Sequence, residues 1–179
     1  MNLKEADTRG SYILTKALKP FSAKEPSLAH FLKSELSLVS DEAWTRFVLA
    51  LKTAKPSSVS ASNALGMFEM RPRRLGDLGI LRNVRCSLSP NHRLVWIGDF
   101  VPPLTEKSFL ASPEIQYKAF SESMRRYLMM LPILQEGMTL SGALAILHRC
   151  GPTGLDKWKT ESERFPETIS LYEKANGLF

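Results

Sequence analysis

Asn63-Ala64-Leu65-Gly66-Met67-Phe68-Glu69-Met70-Arg71-Pro72 joins a loop of small residues, 56–66, to a stretch at 67–81 that mixes apolar side chains with arginine. Pro72 and the glycines at 76 and 79 keep regular structure short here, so 67–81 reads as a helix or a pair of turns. Upstream, Ser40-Asp41-Glu42 opens the clearest helix of the chain. It has a hydroxyl to cap it, and Trp44, Phe47, Val48 and Leu51 follow at helical spacing. That helix must stop before Pro56, whose ring disfavours a helical residue ahead of it. Downstream, Val84 to Leu88 and Arg93 to Ile97 are strand-like runs on either side of a Ser-Pro-Asn-His turn, a hairpin that Pro102-Pro103 closes. Ser112-Pro113-Glu114 then starts a long helix to about Leu131, with Ile115, Ala119, Phe120, Met124 and Leu128 inward. Thr139 to His148 is a further helix, rich in Ala and Leu and stopped by Cys150-Gly151-Pro152; Glu167 to Lys174 is a last short one. The pattern is mainly α (α+β), with one small β-hairpin.

Residues 1–40 read as an arm apart from a domain at 41–179. Pro20 and Pro26 break the arm; a short helix is expected around Tyr12 to Leu18, and a second from Ser27 through Leu38 with Leu28, Phe31, Leu32 and Leu36 on one face. The 179 residues suit one domain with an N-terminal extension, and 44% hydrophobic with 23% charged residues is ordinary for a globular protein. A net charge of +6 favours polyanionic partners: nucleic acid, anionic lipid or acidic wall polymers. Because the charge is spread along the chain, it fits a merely well-solvated surface equally. The densest basic run is Arg71, Arg73, Arg74, Arg82 and Arg85, and no aromatic stacking platform accompanies it, which ranks nucleic acid last among the partners. Cys86 and Cys150 show neither CxxC nor Cys/His ligand spacing, so reduced thiols are expected, with no metal and no cofactor. Met1 to Pro20 has mixed charge and no apolar core, hence no signal peptide. No stretch approaches the ~20 apolar residues of a membrane span.

Three separated segments carry a resemblance. Asn63 to Pro72, preceded by Val59-Ser60, is similar to the G-A-x-G-L-M-Q-x-x-P stretch, with its upstream V-S, of the lytic transglycosylases. Asn63 replaces the Gly and Glu69 the Gln. Ala143 to Pro152 resembles that family's A-L-A-A-Y-N-A-G-P helix end, with His148 standing for Tyr and Arg149 for Asn. Pro166-Glu167-Thr168, followed by Tyr172 and Lys174, is similar to the P-x-E-T-x-x-Y-V-x-K ending. The segments occur in the family's order and span about residues 42–179. The resemblance implies a lysozyme-like helical domain directed at the peptidoglycan glycan strand, at the bond between MurNAc and GlcNAc. Lacking a signal peptide, such a protein would be made in the cytoplasm and delivered to the wall, by a holin, a secretion machine or as a component of a phage tail, whose proteins would then be partners.

The implied chemistry needs an acid whose pKa is raised by a dry pocket, since an ordinary carboxyl titrates near ~4.3. In the family one glutamate serves as acid and then base while the sugar's own 6-hydroxyl attacks. The family keeps it at the end of the helix before the V-S loop. Here that region reads Leu51-Lys52-Thr53-Ala54-Lys55-Pro56, and no Asp or Glu lies between Glu42 and Glu69. Glu42 sits at the wrong end of its helix, about three turns away. Glu69 stands where the family has a groove-facing Gln and His148 where it has a groove-facing Tyr, so the resemblance implies Glu69 as the candidate acid with His148 as a partner expected to titrate with it. Two plainer roles stand beside these: Glu69 as a carboxylate paired with Arg71, Arg73 or Arg74, and His148 as a cation at a helix C-terminus. Ser60, Ser62, Met67, Phe68 and Arg149 are the candidate glycan contacts, in a groove between the Gly66–Pro72 segment and the His148–Pro152 helix end. His30 and His92 read as a helix-face and a turn residue and Asp99 as a turn residue. Trp44/Phe47 and Met129-Met130 read as core. The alternative to an enzyme is an inactive structural or wall-binding subunit on the same fold, which the missing glutamate favours.

Overall fold

The structure, a computed structural model, describes residues 39–89, 94–131, 134, 136–161 and 166–179. The helices expected at Tyr12–Leu18 and Ser27–Leu38, with His30 and His92, lie outside the described residues. About half of the chain is helical, and one two-stranded antiparallel sheet accompanies the helices among the described residues. The mainly α (α+β) class with one small hairpin is what the chain adopts. The described residues form two compact units: one holds residues 54–120, the other 39–53 and 121–179.

Helix α1 (Asp41–Leu51) belongs to the second unit and begins where the sequence places it, with the Ser40 hydroxyl accepting from the Ala43 amide. In the first unit, α2 (Pro72–Asp77) is short, with proline at its first position, and strands β1 (Leu81–Leu88) and β2 (Leu94–Phe100) follow. β1 starts earlier, and β2 ends later, than the alternation suggests. A bulge between Arg82 and Arg85, with Asn83 at φ 51°, absorbs the change of register. Asp99, expected in a turn, lies in β2 and accepts from the Asn83 side chain at 2.9 Å. Helix α3 (Glu106–Ala111) was not expected; Thr105 and Ser108 form a reciprocal cap that substitutes for apolar periodicity in so short a helix. The core of this unit gathers Leu65, Phe68, Met70, Leu75, Leu78, Phe109 and Phe120, and Phe68 stacks on Phe120 with ring centroids 4.1 Å apart.

Helix α4 (Pro113–Met129) carries residues through Phe120 in the first unit and from Ser121 onward in the second. Of its expected inward residues, Ala119, Phe120 and Met124 are buried, while Ile115 and Leu128 are half-buried. Helix α5 (Leu140–Cys150) is the core of the second unit: every residue from Ser141 to Leu147 is buried, as befits a helix apolar on all sides. Gly151, at φ 81°, ends it, donating its amide to the Leu147 carbonyl at 2.8 Å. Helix α6 (Gly154–Glu161) was not read in the sequence, and α7 (Pro166–Ala175) closes the chain. α5 packs on α6 and α7, and α1 on α7. Trp44 and Phe47 are buried as expected, and the Phe179 ring packs edge-on against Phe47 with centroids 5.2 Å apart. Met129 and Met130, expected in the core, are instead 67% and 52% exposed, because α4 ends there and the chain turns away from its buried face. Among the described residues no helix is long and apolar enough to cross a membrane.

Candidate functional site

In the first unit, residues 58–70 fold as a meander of isolated bridges, Val59 to Leu65 and Leu65 to Met70, and of the helix or turn pair expected at 67–81 the structure has a turn at 66–69 followed by the short α2. The first reversal is tied by the Ser60 amide donating to the Ala64 carbonyl at 2.9 Å and by Asn63 in the left-handed region at φ 57°. Asparagine tolerates that conformation better than most residues other than glycine. The Ser60 hydroxyl accepts from the Ala64 amide at 3.0 Å and lies 3.0 Å from the Ser62 hydroxyl. Ser60 is thus half-buried and committed to the turn, whereas Ser62 is exposed.

The second reversal is tighter. Leu65 and Met70 exchange both backbone hydrogen bonds at 2.9 Å, and the Glu69 amide donates to the Gly66 carbonyl at 3.1 Å. Closing it needs left-handed backbone at Gly66, φ 75°, and at Glu69, φ 47°. For glutamate this costs on the order of 1 kcal/mol, and such strain gathers at functional positions. Met67 and Phe68 are 6% and 1% exposed, so their side chains serve the core and present almost no surface to a glycan. What holds the reversal is Gln116, 1% exposed on α4. Its Oε1 accepts from the Met67 amide at 2.8 Å, and its Nε2 donates to the carbonyls of Pro56 and Phe109, each at 2.9 Å. A Cβ at residue 66 would collide with this side chain, so Gly66 is required by space as well as by φ.

Beside the meander, the Asn63 side chain donates to the Trp96 carbonyl of β2 at 3.4 Å. Trp96 is 36% exposed, and the Arg73 guanidinium of α2 lies over its ring, 5.5 Å from the centroid. An arginine therefore does meet an aromatic ring, contrary to the sequence reading. The pairing was hidden because α2 and β2 are brought together by tertiary packing of Gly76 against Val84. Arg73 lies over the Trp96 ring, and Arg74 lies 3.5 Å from Asp77.

The remaining candidates lie in the second unit. His148 and Arg149 are half-buried in the last turn of α5, where the helix dipole favours a cation. Thr168, from the ending that resembles the family's, is buried with its hydroxyl 3.5 Å from the Cys150 sulfur. At the end of α1, Leu51 is fully buried and Lys52 is the C-cap; the acids of this helix, Asp41 and Glu42, are exposed in its first turn. Among the described residues no three His, Cys, Asp or Glu side chains gather as metal ligands would. Comparison with protein-family models, with curated proteins and with solved structures finds no match.

Proposed function

We propose that this chain is a peptidoglycan-directed protein on the lytic transglycosylase plan, and that it holds the glycan without cutting it. The observation that carries the reading is the end of α1, where the resemblance asks for a carboxylic acid and the chain has a fully buried Leu51 followed by Lys52. Without an acid to protonate the glycosidic oxygen, the departing sugar leaves as an alkoxide, and the reaction loses its main catalytic assistance. The polar meander, with Ser62 and Asn63 on its outer turn, remains as a surface for sugar hydroxyls. Delivery within a phage tail or through a secretion assembly would suit a wall-binding subunit of this kind.

A second reading keeps the enzyme and moves the acid to Glu69, favoured by its half-buried position on strained backbone. Release of soluble muropeptides from purified peptidoglycan, read by mass, separates the two. Wall binding with no soluble products supports the holding role. Anhydro-sugar products that vanish in Glu69→Gln establish the relocated acid and overturn it.

A further inference from the structure

We infer that Trp96 and Arg73 form a subsite for an amino sugar that carries a carboxylate. The inference rests on the wall-directed reading above and names the part of the ligand this surface takes. Its basis is the arrangement of the two faces of the hairpin. Cys86 pairs with Trp96 and Leu88 with Leu94, and Val84 meets the place where a Cβ of Gly98 would be, so these residues share one face. On that face lies α2, with Arg73 over the indole. Arg85 pairs with Ile97 and Arg82 with Asp99, which puts those arginines on the opposite face. The basic run of the sequence is thus divided: Arg73 lies over the exposed ring, and Arg82 and Arg85 lie on the other face.

That division decides the ligand. A nucleic-acid strand needs a track of cations along its phosphates beside its stacking rings. A charged sugar needs one aromatic surface for its C–H face, one cation for its acid, and neutral donors and acceptors for its hydroxyls. Trp96 supplies the first and Arg73 the second. Ser62 and Asn63 supply the third, held beside β2 by the Asn63 hydrogen bond to the Trp96 carbonyl. Among the described residues no carboxylate pairs with Arg73, so its donors are available to a ligand acid, and seating on the ring limits its rotamers beforehand.

The test is co-sedimentation of the full chain with two insoluble polymers: glycan strands freed of peptide by an amidase, whose lactyl carboxylates are exposed, and chitin, which lacks them. Tighter binding to the strands is expected. Trp96→Ala should weaken binding to both polymers about tenfold, and Arg73→Gln should weaken binding to the strands alone, by about three- to tenfold. Trp96→Phe, which keeps a ring, should bind nearly as the parent does and shows that loss in Trp96→Ala is not unfolding. If the parent binds the strands and both variants bind equally well, the subsite is wrong while the wall-directed reading stands. If the parent binds neither polymer, both fail. Binding to single-stranded DNA that is lost in Trp96→Ala, without binding to the strands, would make this a nucleic-acid surface and overturn the proposal.

Discussion

Gln116 joins four backbone groups, those of Met67, Pro56, Phe109 and Leu110, from a position with almost no contact with water. Replacing it by leucine strands buried amide and carbonyl groups at about 1–3 kcal/mol each, so Gln116→Leu should cost 3 kcal/mol or more in denaturant unfolding (about that order) and loosen the meander. Glu69→Gln, by contrast, keeps the side-chain size and the left-handed backbone, and its melting temperature should stay within about 2 °C of the parent's, which makes it a clean probe of chemistry. Glu122 shows how a charge behaves on α4. Burial alone would raise its carboxyl pKa, but Arg125, bonded to it at 2.7 and 2.9 Å, outweighs that with help from Arg126, and the pKa is held below its usual 4.5. A depressed folded pKa stabilises above the unfolded value and loses that contribution as pH falls through the folded one. These side chains are 38% and 35% exposed, so screening limits the gain. Glu122→Gln should cost under about 1 kcal/mol at pH 7, and the difference should shrink as pH falls below 4.5 and be gone once pH lies below the depressed folded value.

At the scale of elements, α5 meets α7 closely at Gly142. A Cβ there would lie 2.6 Å from both the Tyr172 ring and the Asn176 side chain. Gly142→Ala gains about 1 kcal/mol of helix propensity yet forces the helices apart, at a cost of about 1–3 kcal/mol, so the net sign is destabilising. Thermal unfolding of the variant reads that sign directly. The same junction is pinned by Thr139, whose hydroxyl donates to Asn176 at 2.8 Å and accepts from the Gly177 amide at 2.9 Å. Elements with strong signals were legible in the sequence: α1 through Ser40 and its apolar face, α5 through its Ala-Leu run and Gly151, the hairpin through alternation around a turn. α3 and α6 were not, because helices this short lean on capping and neighbours rather than on a repeating apolar stripe. Of the candidate site, Ser62 is exposed on the first turn of the meander and Glu69 is half-buried on the second. Met67 and Phe68 were misjudged as surface because an apolar pair in a turn shows no periodicity to say which way it faces. Trp96 with Arg73, and the clamp of Gln116, depend on contacts between distant segments and left no local trace.

At the scale of the molecule, the second unit is assembled from both ends of the described chain, residues 39–53 and 121–179, with the first unit between them in sequence. α1 supplies Trp44 and Phe47 to a cluster completed by Phe179. A fragment of residues 121–179 alone lacks that half of the cluster and should show helical far-UV circular dichroism without the sharp near-UV signal of fixed aromatic packing. In the full chain, Phe179→Ala should lower stability by about 1–2 kcal/mol, less than for a fully enclosed ring, since Phe179 is half-buried. The arrangement also has a consequence for synthesis. α1 leaves the ribosome before its partner α7, which follows only after on the order of a hundred further residues, roughly 5–20 s at ordinary elongation rates. Through that interval the indole of Trp44 and the ring of Phe47 lack the packing that α7 and Phe179 supply. The nascent chain should therefore engage chaperones that hold apolar segments, and slowed translation should lengthen that dependence rather than relieve it.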